Sequence, residues 1–269
     1  MTDSAQVLAS ELHFPPGTDS FNFRDWFTGL SDTALANVFT TITFAVWLTV
    51  AILIVFFLWA YRKPRIVPTK RQWLAESAYG FVRDTVSVEV LGKRDGVRFA
   101  PYLTCLFLFV VLMNFWAIVP FVQISPNSHI AFPATLGILS WLVYNYVGIR
   151  KHGFLGYLKM TCVPPGAPVF IYPLLIPIEF LQNLILRPVT LALRLFANMF
   201  AGHLILLVFI LGGFTLLQSD NFFIQGVSVV SWAFGIAMTL FELIVILLQA
   251  YVFTLLTTLY IQGSLADEH

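Results

Sequence analysis

Between Met160 and Ala266 the chain carries only six acidic or basic side chains, although this stretch is otherwise almost wholly apolar. One of them, Asp220, lies in a short polar turn between two long apolar tracts. The other five lie within these tracts or near their ends: Glu179, Arg187, Arg194, His203 and Glu242. A charged residue at mid-bilayer costs roughly 2.5–3.5 kcal/mol or more. Residues retained at that cost usually line an ion route or pair with one another, so the pattern points to ion movement.

The polar residues of each tract share one helical face. In the first tract they follow at intervals of three or four residues: Asn183, Arg187, Thr190, Arg194 and Asn198. In the second tract Glu242 and Gln249 are seven residues apart. Both spacings place the side chains on one side of a helix. Two polar faces on adjacent helices predict an aqueous seam between them, or between them and a partner.

Each of these residues also has a purely structural interpretation. Glu179 follows a proline and would stabilise a helix start. Arg187 could extend to the membrane interface, and His203 and Glu242 could form a buried structural pair. Arg194 is the hardest to explain in this way, because it is far from both ends of its tract.

Composition excludes a soluble globule. Apolar residues make up 58% of the 269, and charged residues only 11%, against about a quarter in ordinary soluble domains. A net charge of +1 gives no reason to expect nucleic acid as a partner. Cys105 and Cys162 lie far apart in apolar surroundings and form no metal or redox pattern. We expect no cofactor and no metal.

The apolar runs predict an all-α integral membrane protein with about five membrane-crossing helices. The expected organisation is a polar N-terminal segment (1–33), a first transmembrane helix (34–61), a basic segment (62–98), a transmembrane hairpin (99–149), a connection (150–172), a long hairpin carrying the ion path (173–262) and a tail (263–269). A helix of ~38 residues is about 57 Å long, nearly twice the ~30 Å hydrocarbon thickness. We therefore favour two strongly tilted antiparallel helices in the last hairpin over re-entrant halves.

Residues 69–95 differ in kind, because charged and apolar side chains alternate there. Apolar positions 74, 78, 81, 82 and 86 recur at roughly helical spacing, which predicts an amphipathic helix lying on the membrane surface.

The distribution of positive charge predicts the topology. Of the 15 Lys and Arg residues, nine lie between Arg62 and Arg98 and three more between residues 150 and 159. Both regions should face the cytoplasm, whereas the turns at 121–131 and 218–222 carry no Lys or Arg and should face outside. Five crossings then place the N-terminus outside and the C-terminus inside.

Several of these residues lie in segments that resemble subunit a of F-type ATP synthases, of the bacterial type. Residues 187–203 (RPVTLALRLFANMFAGH) are similar to the family's signature, and residues 247–256 (LLQAYVFTLL) to its last helix. Residues 112–115 with Pro120 resemble its second spanning segment, and the closing ADEH also fits. The resemblance covers most of the chain after Ala34, whereas residues 1–33 match weakly.

The resemblance implies roles for individual residues. Arg194 takes the place of the family's essential stator arginine, and Gln249 that of its companion glutamine. His203 and Glu242 correspond to the family's interacting acid/base pair. Polar positions of the ion paths fall on Asn198, Asn114 and Glu179. The turn before the third span departs from the commoner acidic version, having Ser128 and His129, so the sequence leaves open which residues form the outer mouth.

The implied partners are a ring of c subunits, b-type peripheral stalk subunits and the rest of the ATP synthase, together with protons and membrane lipid. The expected location is the plasma membrane of a bacterium, as a multi-pass protein. No Gly-rich phosphate loop occurs, so we expect the chain not to be an enzyme by itself. The competing classes are a secondary transporter, which would usually show internal repeats, and a structural scaffold, which has no need for Arg194. Protons are favoured over Na⁺ because a His/Glu pair is a plausible proton relay.

Overall fold

The structure is a computed structural model that describes residues 41–62, 65–119, 125–162, 172–218 and 221–266. The predicted polar segment 1–33 and the start of the predicted first helix, residues 34–40, lie outside the described residues. The regular structure within the described ranges is helical. Its elements are α1 (Thr41–Ala60), α2 (Lys70–Phe81), a π-helical turn (Val82–Val88), α3 (Glu89–Phe115), a 3₁₀ turn (Pro126–Ser128), α4 (Ala131–Cys162), α5 (Tyr172–Leu181), a second π-helical turn (Gln182–Leu186), α6 (Arg187–Leu217) and α7 (Phe222–Leu265).

Five helical stretches of the described chain are long and apolar enough to cross a membrane. They are Ile42–Ala60, Lys70–Phe115, Ala131–Thr161, Tyr172–Leu217 and Phe222–Leu265. Most residues in their most apolar windows are not buried within the protein, and in that of the first stretch only 11% are buried. Apolar surface of this extent suits lipid or membrane-embedded partners. The prediction of an all-α membrane protein with five long apolar helices is confirmed.

The last two stretches form the long hairpin that the sequence predicts. They comprise 46 and 44 residues, and the first is continuous through α5, the π-helical turn and α6. Pro188 lies in the first turn of α6, and because proline lacks a backbone N–H, the π-helical turn before it accommodates the missing hydrogen bond.

The register of the hairpin is antiparallel. The Ser228 hydroxyl donates to the carbonyl oxygen of Gly213 at 2.7 Å, and the Ser231 hydroxyl donates to that of Phe209 at 2.8 Å. Further along, Gly202 lies against Glu242. Helices α6 and α7 therefore stay paired over most of their length. At 1.5 Å per residue each stretch is about 66–69 Å long, so crossing a ~30 Å core requires a strong tilt.

Residues 70–91 form a helical segment with one face buried against the protein. Val82 and Val86 are buried together with Gln72 and Ala75, whereas Leu74 is 52% exposed. Val82 and Val86 pack in a cluster with Leu103, Tyr144 and Ile261 from α3, α4 and α7. One face of this segment thus rests on the protein. Its position at the membrane surface stays a prediction.

The chain reverses direction at two glycines. Gly92 has φ 76° and Gly153 has φ 74°, a left-handed conformation that side chains rarely adopt. After Gly92, α3 packs back on the preceding segment, where the Ser87 hydroxyl donates to the carbonyl oxygen of Gly96 at 2.6 Å. Beyond Gly153, the ring of Tyr157 returns to cover Gly148, and its hydroxyl donates to Asn145 Oδ1 at 3.0 Å. Helix α4 ends at Cys162, so the helical structure continues beyond residue 149, where the sequence predicts the end of the transmembrane hairpin.

A second core cluster holds the long hairpin against the rest of the bundle. Leu191 and Leu195 of α6 pack with Ala250 and Phe253 of α7. Leu106 and Val110 of α3 and Leu136 of α4 complete the cluster. Because Leu191 and Leu195 point into this cluster, the opposite side of α6 faces out of the bundle.

Candidate ion path along the long hairpin

Arg194 lies in the middle of a 46-residue apolar stretch, with 22 residues before it and 23 after it in Tyr172–Leu217. Its side chain is exposed on the surface of the isolated chain, where Val189 is 42% and Leu193 44% exposed. Among the described residues the ion pair is Arg83–Asp84, so Arg194 has no carboxylate within 4 Å there. A guanidinium surrounded by apolar side chains and without a carboxylate nearby needs a counter-charge or water from outside the chain.

Gln249 of α7 lies at about the same position along the hairpin as Arg194 of α6. Leu195 and Ala250 share a core cluster, which continues the register set by Gly202 and Glu242. Gln249 is buried and its Nε2 has no hydrogen-bond partner among the described residues. The structure therefore places Arg194 and Gln249 on neighbouring parts of the paired helices, the first exposed and the second buried.

His203 and Glu242 are both buried where α6 and α7 pack together, at 8% and 5% exposure. The ideal Cβ of Gly202, the residue before His203, would lie 2.9 Å from Glu242 Oε1. The two side chains are not within 4 Å as an ion pair in the described part of the chain. His203 Nε2 and both carboxylate oxygens of Glu242 lack hydrogen-bond partners there. The helices thus bring the two residues to facing positions without a direct bond between them.

Asn198 lies about one helical turn after Arg194 on the same side of α6, whereas His203, nine residues after Arg194, lies on the opposite side. It is half-buried, and its Nδ2 is buried with no partner among the described residues. A buried polar atom without a hydrogen bond costs about 1–3 kcal/mol. Asn198, His203, Glu242 and Gln249 thus form a row of costly unsatisfied groups, which ordered water or a moving proton would satisfy.

A second polar group lies at the predicted outer turn, where Asn114 ends α3. The Nδ2 of Asn127 donates to Asn114 Oδ1 at 2.6 Å, and both side chains are fully buried. The Ser125 hydroxyl donates to the carbonyl oxygen of Met113 at 3.0 Å and accepts from the backbone N–H of Asn127 at 3.2 Å. The 3₁₀ turn that carries Asn127 also contacts α6. Burial lowers the pKa of His129, just beyond this turn, below its ordinary value.

The family resemblance points to Asn114 but not to its partner Asn127. The available signal was a run of small polar residues in a turn without Lys or Arg. Such a run is common in solvent-exposed turns, so the sequence alone did not mark Asn127 as buried.

Arg187 and Glu179 lie apart from these groups. The guanidinium of Arg187 lies 5.1 Å from the ring centroid of Tyr260 on α7, a cation–π contact that the sequence did not reveal. Glu179 is half-buried in α5, 15 residues or about 22 Å along the helix from Arg194. Arg187 therefore has an aromatic partner within the chain, whereas Arg194 has no ion-pair partner among the described residues.

Nothing in the described ranges groups three or more His, Cys, Asp or Glu side chains as a metal site would require. The candidate site therefore comprises one exposed cation at the middle of a long apolar stretch and buried polar atoms on both sides of the α6–α7 contact.

Comparisons with known proteins identify the family of the chain. Residues 43–262 match the family model described as ATP synthase A chain. The chain is 46% identical over 222 residues to ATP synthase subunit a of a Nocardioides species, covering 82% of this chain and 80% of that protein. It is 44% identical to that of a Parafrankia species, covering 98% and 88%, and 39% identical to that of Streptomyces lividans, covering 99% and 96%. With a family match over most of its length and such relatives, the chain belongs to the ATP synthase subunit a family.

Proposed function

We propose that the chain is the stator half of the proton path in the membrane sector of a bacterial F-type ATP synthase. In this role it faces a ring of c subunits and couples proton flow to ring rotation. The observation that carries the proposal is the exposed guanidinium of Arg194 at the middle of a membrane-length helix. A cation at that place is costly in lipid, but it suits a surface past which carboxyl groups of a partner move.

The proposed mechanism follows from the cost of burying charge. A ring carboxyl that faces lipid must be protonated, because a bare carboxylate is expensive there. Opposite Arg194 it ionises, because the opposite charge stabilises the carboxylate. Arginine suits this role better than lysine, since its guanidinium stays charged when it is partly desolvated. Arg194 thereby holds the passing site deprotonated and prevents protons from hopping directly between two half-channels.

The outer half-channel runs past the buried polar groups beyond Arg194. Asn198, His203 and Glu242 offer unsatisfied donors and acceptors along it, and Gln249 lies beside the gate. The Asn114–Asn127 pair lies where the 3₁₀ turn contacts α6, which supports a place for it near the outer mouth. The inner half-channel opens near Glu179, at the other end of the hairpin.

The driving force is electrical as well as chemical. Each proton that crosses gains about 2.3 kcal/mol per 100 mV of membrane potential, and this work turns the ring. Protons are the proposed ion, because His203 and Glu242 can accept and release them. The chain itself carries no ATP chemistry in this proposal.

The remaining partners are membrane helices of the complex. The largely unburied faces of α1 and of the hairpin support contacts with b-type stalk subunits as well as with lipid. The excess of Lys and Arg in residues 62–98 and 150–159 favours a cytoplasmic position for these segments, and hence an N-terminus outside and a C-terminus inside, in the plasma membrane.

Affinity purification tests the proposal. With a tag on this chain, mild solubilisation of native membranes should recover a c ring and a complex that pumps protons when ATP is added. Reconstituted vesicles should lose this pumping when the catalytic head is removed. Recovery of the chain alone as a carrier of a specific solute would contradict the proposal.

A further inference from the structure

A basic cavity lies at one end of the α3–α4 hairpin, away from the row of unsatisfied groups. It has a volume of about 860 Å³. Its lining includes four cations and one acid: Arg94, Arg98, Arg150, Lys151 and Asp95. Three of these cations are arginines, and they come from two helices, α3 and α4.

These arginines are not neutralised within the described part of the chain. No carboxylate there lies within 4 Å of Arg94, Arg98 or Arg150, since the ion pair present is Arg83–Asp84. The guanidinium of Arg98 lies 5.8 Å from the ring centroid of Phe99. Lys151 already donates to the carbonyl oxygen of Leu265 at the end of α7. The cavity thus presents arginines to an anion while Lys151 ties it to the long hairpin.

An apolar cavity of about 420 Å³ adjoins this basic one. It lies among α1, α3 and α4, and the side chain of Tyr102 lines both cavities. Its walls are aliphatic and aromatic, including Val50, Ile54, Cys105, Phe109 and Leu139. From Arg98 to Phe109 is 11 residues, or about 16 Å along a helix. That length equals about half of the ~30 Å hydrocarbon core, the depth of one leaflet.

We propose that these two cavities together form a binding site for an anionic phospholipid. Its phosphate lies between Arg98 and Arg150, and one acyl chain follows the apolar cavity past Tyr102. The charge and the dimensions both fit this occupant: the basic and the apolar cavity share Tyr102 as a lining residue, and together they extend along α3 for about the depth of one leaflet. The cytoplasmic leaflet, on which positive-inside topology places these arginines, is the anionic one. Tyr102 and Tyr146 supply aromatic side chains at the level where tyrosine is enriched.

The site joins three elements of the fold. Its cations come from α3 and α4, and Lys151 bonds to the end of α7, the helix that carries Glu242 and Gln249. A bound lipid therefore stabilises the attachment of the long hairpin to the rest of the bundle. The proposal does not depend on the direction or identity of the transported ion.

Photo-crosslinking tests the proposal with the intact complex. The complex is reconstituted in nanodiscs of phosphatidylcholine with a small fraction of phosphatidylglycerol that bears a diazirine in its acyl chain. Crosslinks should map to residues 102–109 and 136–143. The double variant Arg98→Gln with Arg150→Gln should weaken the crosslinking about ten-fold or more. Leu139→Trp, which fills the groove from a side chain that is 46% exposed, should weaken it without removing charge.

The matched control removes the same charge elsewhere. Lys70→Gln with Arg71→Gln alters two exposed basic residues outside the cavity and should retain the crosslinks. Inorganic phosphate added in excess should not compete, because the acyl chain contributes to binding. Equal crosslinking in the pocket and control variants would overturn the proposal. Full competition by inorganic phosphate would also overturn it.

Discussion

Gly202 of α6 lies directly against the carboxylate of Glu242 on α7, so close that an ideal Cβ at residue 202 would be 2.9 Å from Oε1. A contact under 3.0 Å requires something to shift, and here the atom that must move belongs to a proposed proton carrier. This contact makes the placement of Glu242 dependent on a neighbour that has no side chain.

Gly202→Ala should therefore displace the Glu242 carboxylate while leaving the helix intact. We expect proton-driven ATP synthesis to fall severalfold with normal assembly, measured in inverted vesicles against the amount of complex. Gly226→Ala is the matched control, because nothing lies within 4 Å of its Cβ position. Equal synthesis in the two variants would show that the position of Glu242 is unimportant.

The coupling between His203 and Glu242 can be tested by exchange. Each single change to Ala should slow proton flux through the membrane sector, because each removes a titratable group from the outer path. His203→Glu with Glu242→His should recover more flux than either single exchange. If the relative proton flux of the double variant equals the product of the relative fluxes of the two single exchanges, the two residues do not act as a pair.

The buried Asn114–Asn127 hydrogen bond should stabilise the outer turn. Asn127→Ala leaves Asn114 Oδ1 without its donor in a fully buried place, at a cost of about 1–3 kcal/mol. We expect a lower temperature of inactivation for ATP-driven proton pumping. Thr135→Ala serves as the control, because its hydroxyl is exposed and bonds only to the carbonyl oxygen of Ala131 in its own helix. If both variants inactivate at the same temperature, the hydrogen bond does not stabilise the turn.

The topology can be read from cysteine accessibility. In a background with Cys105→Ala and Cys162→Ala, Ile66→Cys should react with an impermeant maleimide only from the cytoplasmic side. Phe222→Cys should react only from outside. Both native side chains are highly exposed, at 104% and 82%, so burial will not mask them. Labelling of Phe222→Cys from the cytoplasm would reverse the proposed orientation.

The long helices were predictable from sequence because an apolar run of membrane length has few alternative structures. The polar face of α6 was predictable because its residues repeat at the helical period. The face of residues 70–91 that packs on the protein was less predictable. The π-helical turn Val82–Val88 changes the angular positions of the side chains along the helix. The segment also packs on protein, and such packing does not require a continuous apolar stripe that faces lipid.

Long-range partners were not predictable from a single sequence. The ring of Tyr260 over Arg187 and the Asn127–Asn114 bond depend on how helices are placed in three dimensions. The reversals at Gly92 and Gly153 likewise depend on backbone conformations that a lone glycine permits but does not require.

The most direct test of the account is Arg194→Ala, assayed for ATP synthesis and for passive proton conductance after the catalytic head is stripped from the same membranes. Synthesis should be abolished, because a ring carboxyl loses the charge that kept it ionised and rotation loses its direction. Conductance should persist or rise, because the barrier between the half-channels is gone. Arg194→Lys should fail almost as badly, whereas Arg187→Ala, which removes a cation–π contact with Tyr260, should impair function less. Near-normal synthesis by an assembled Arg194→Ala complex would contradict the account.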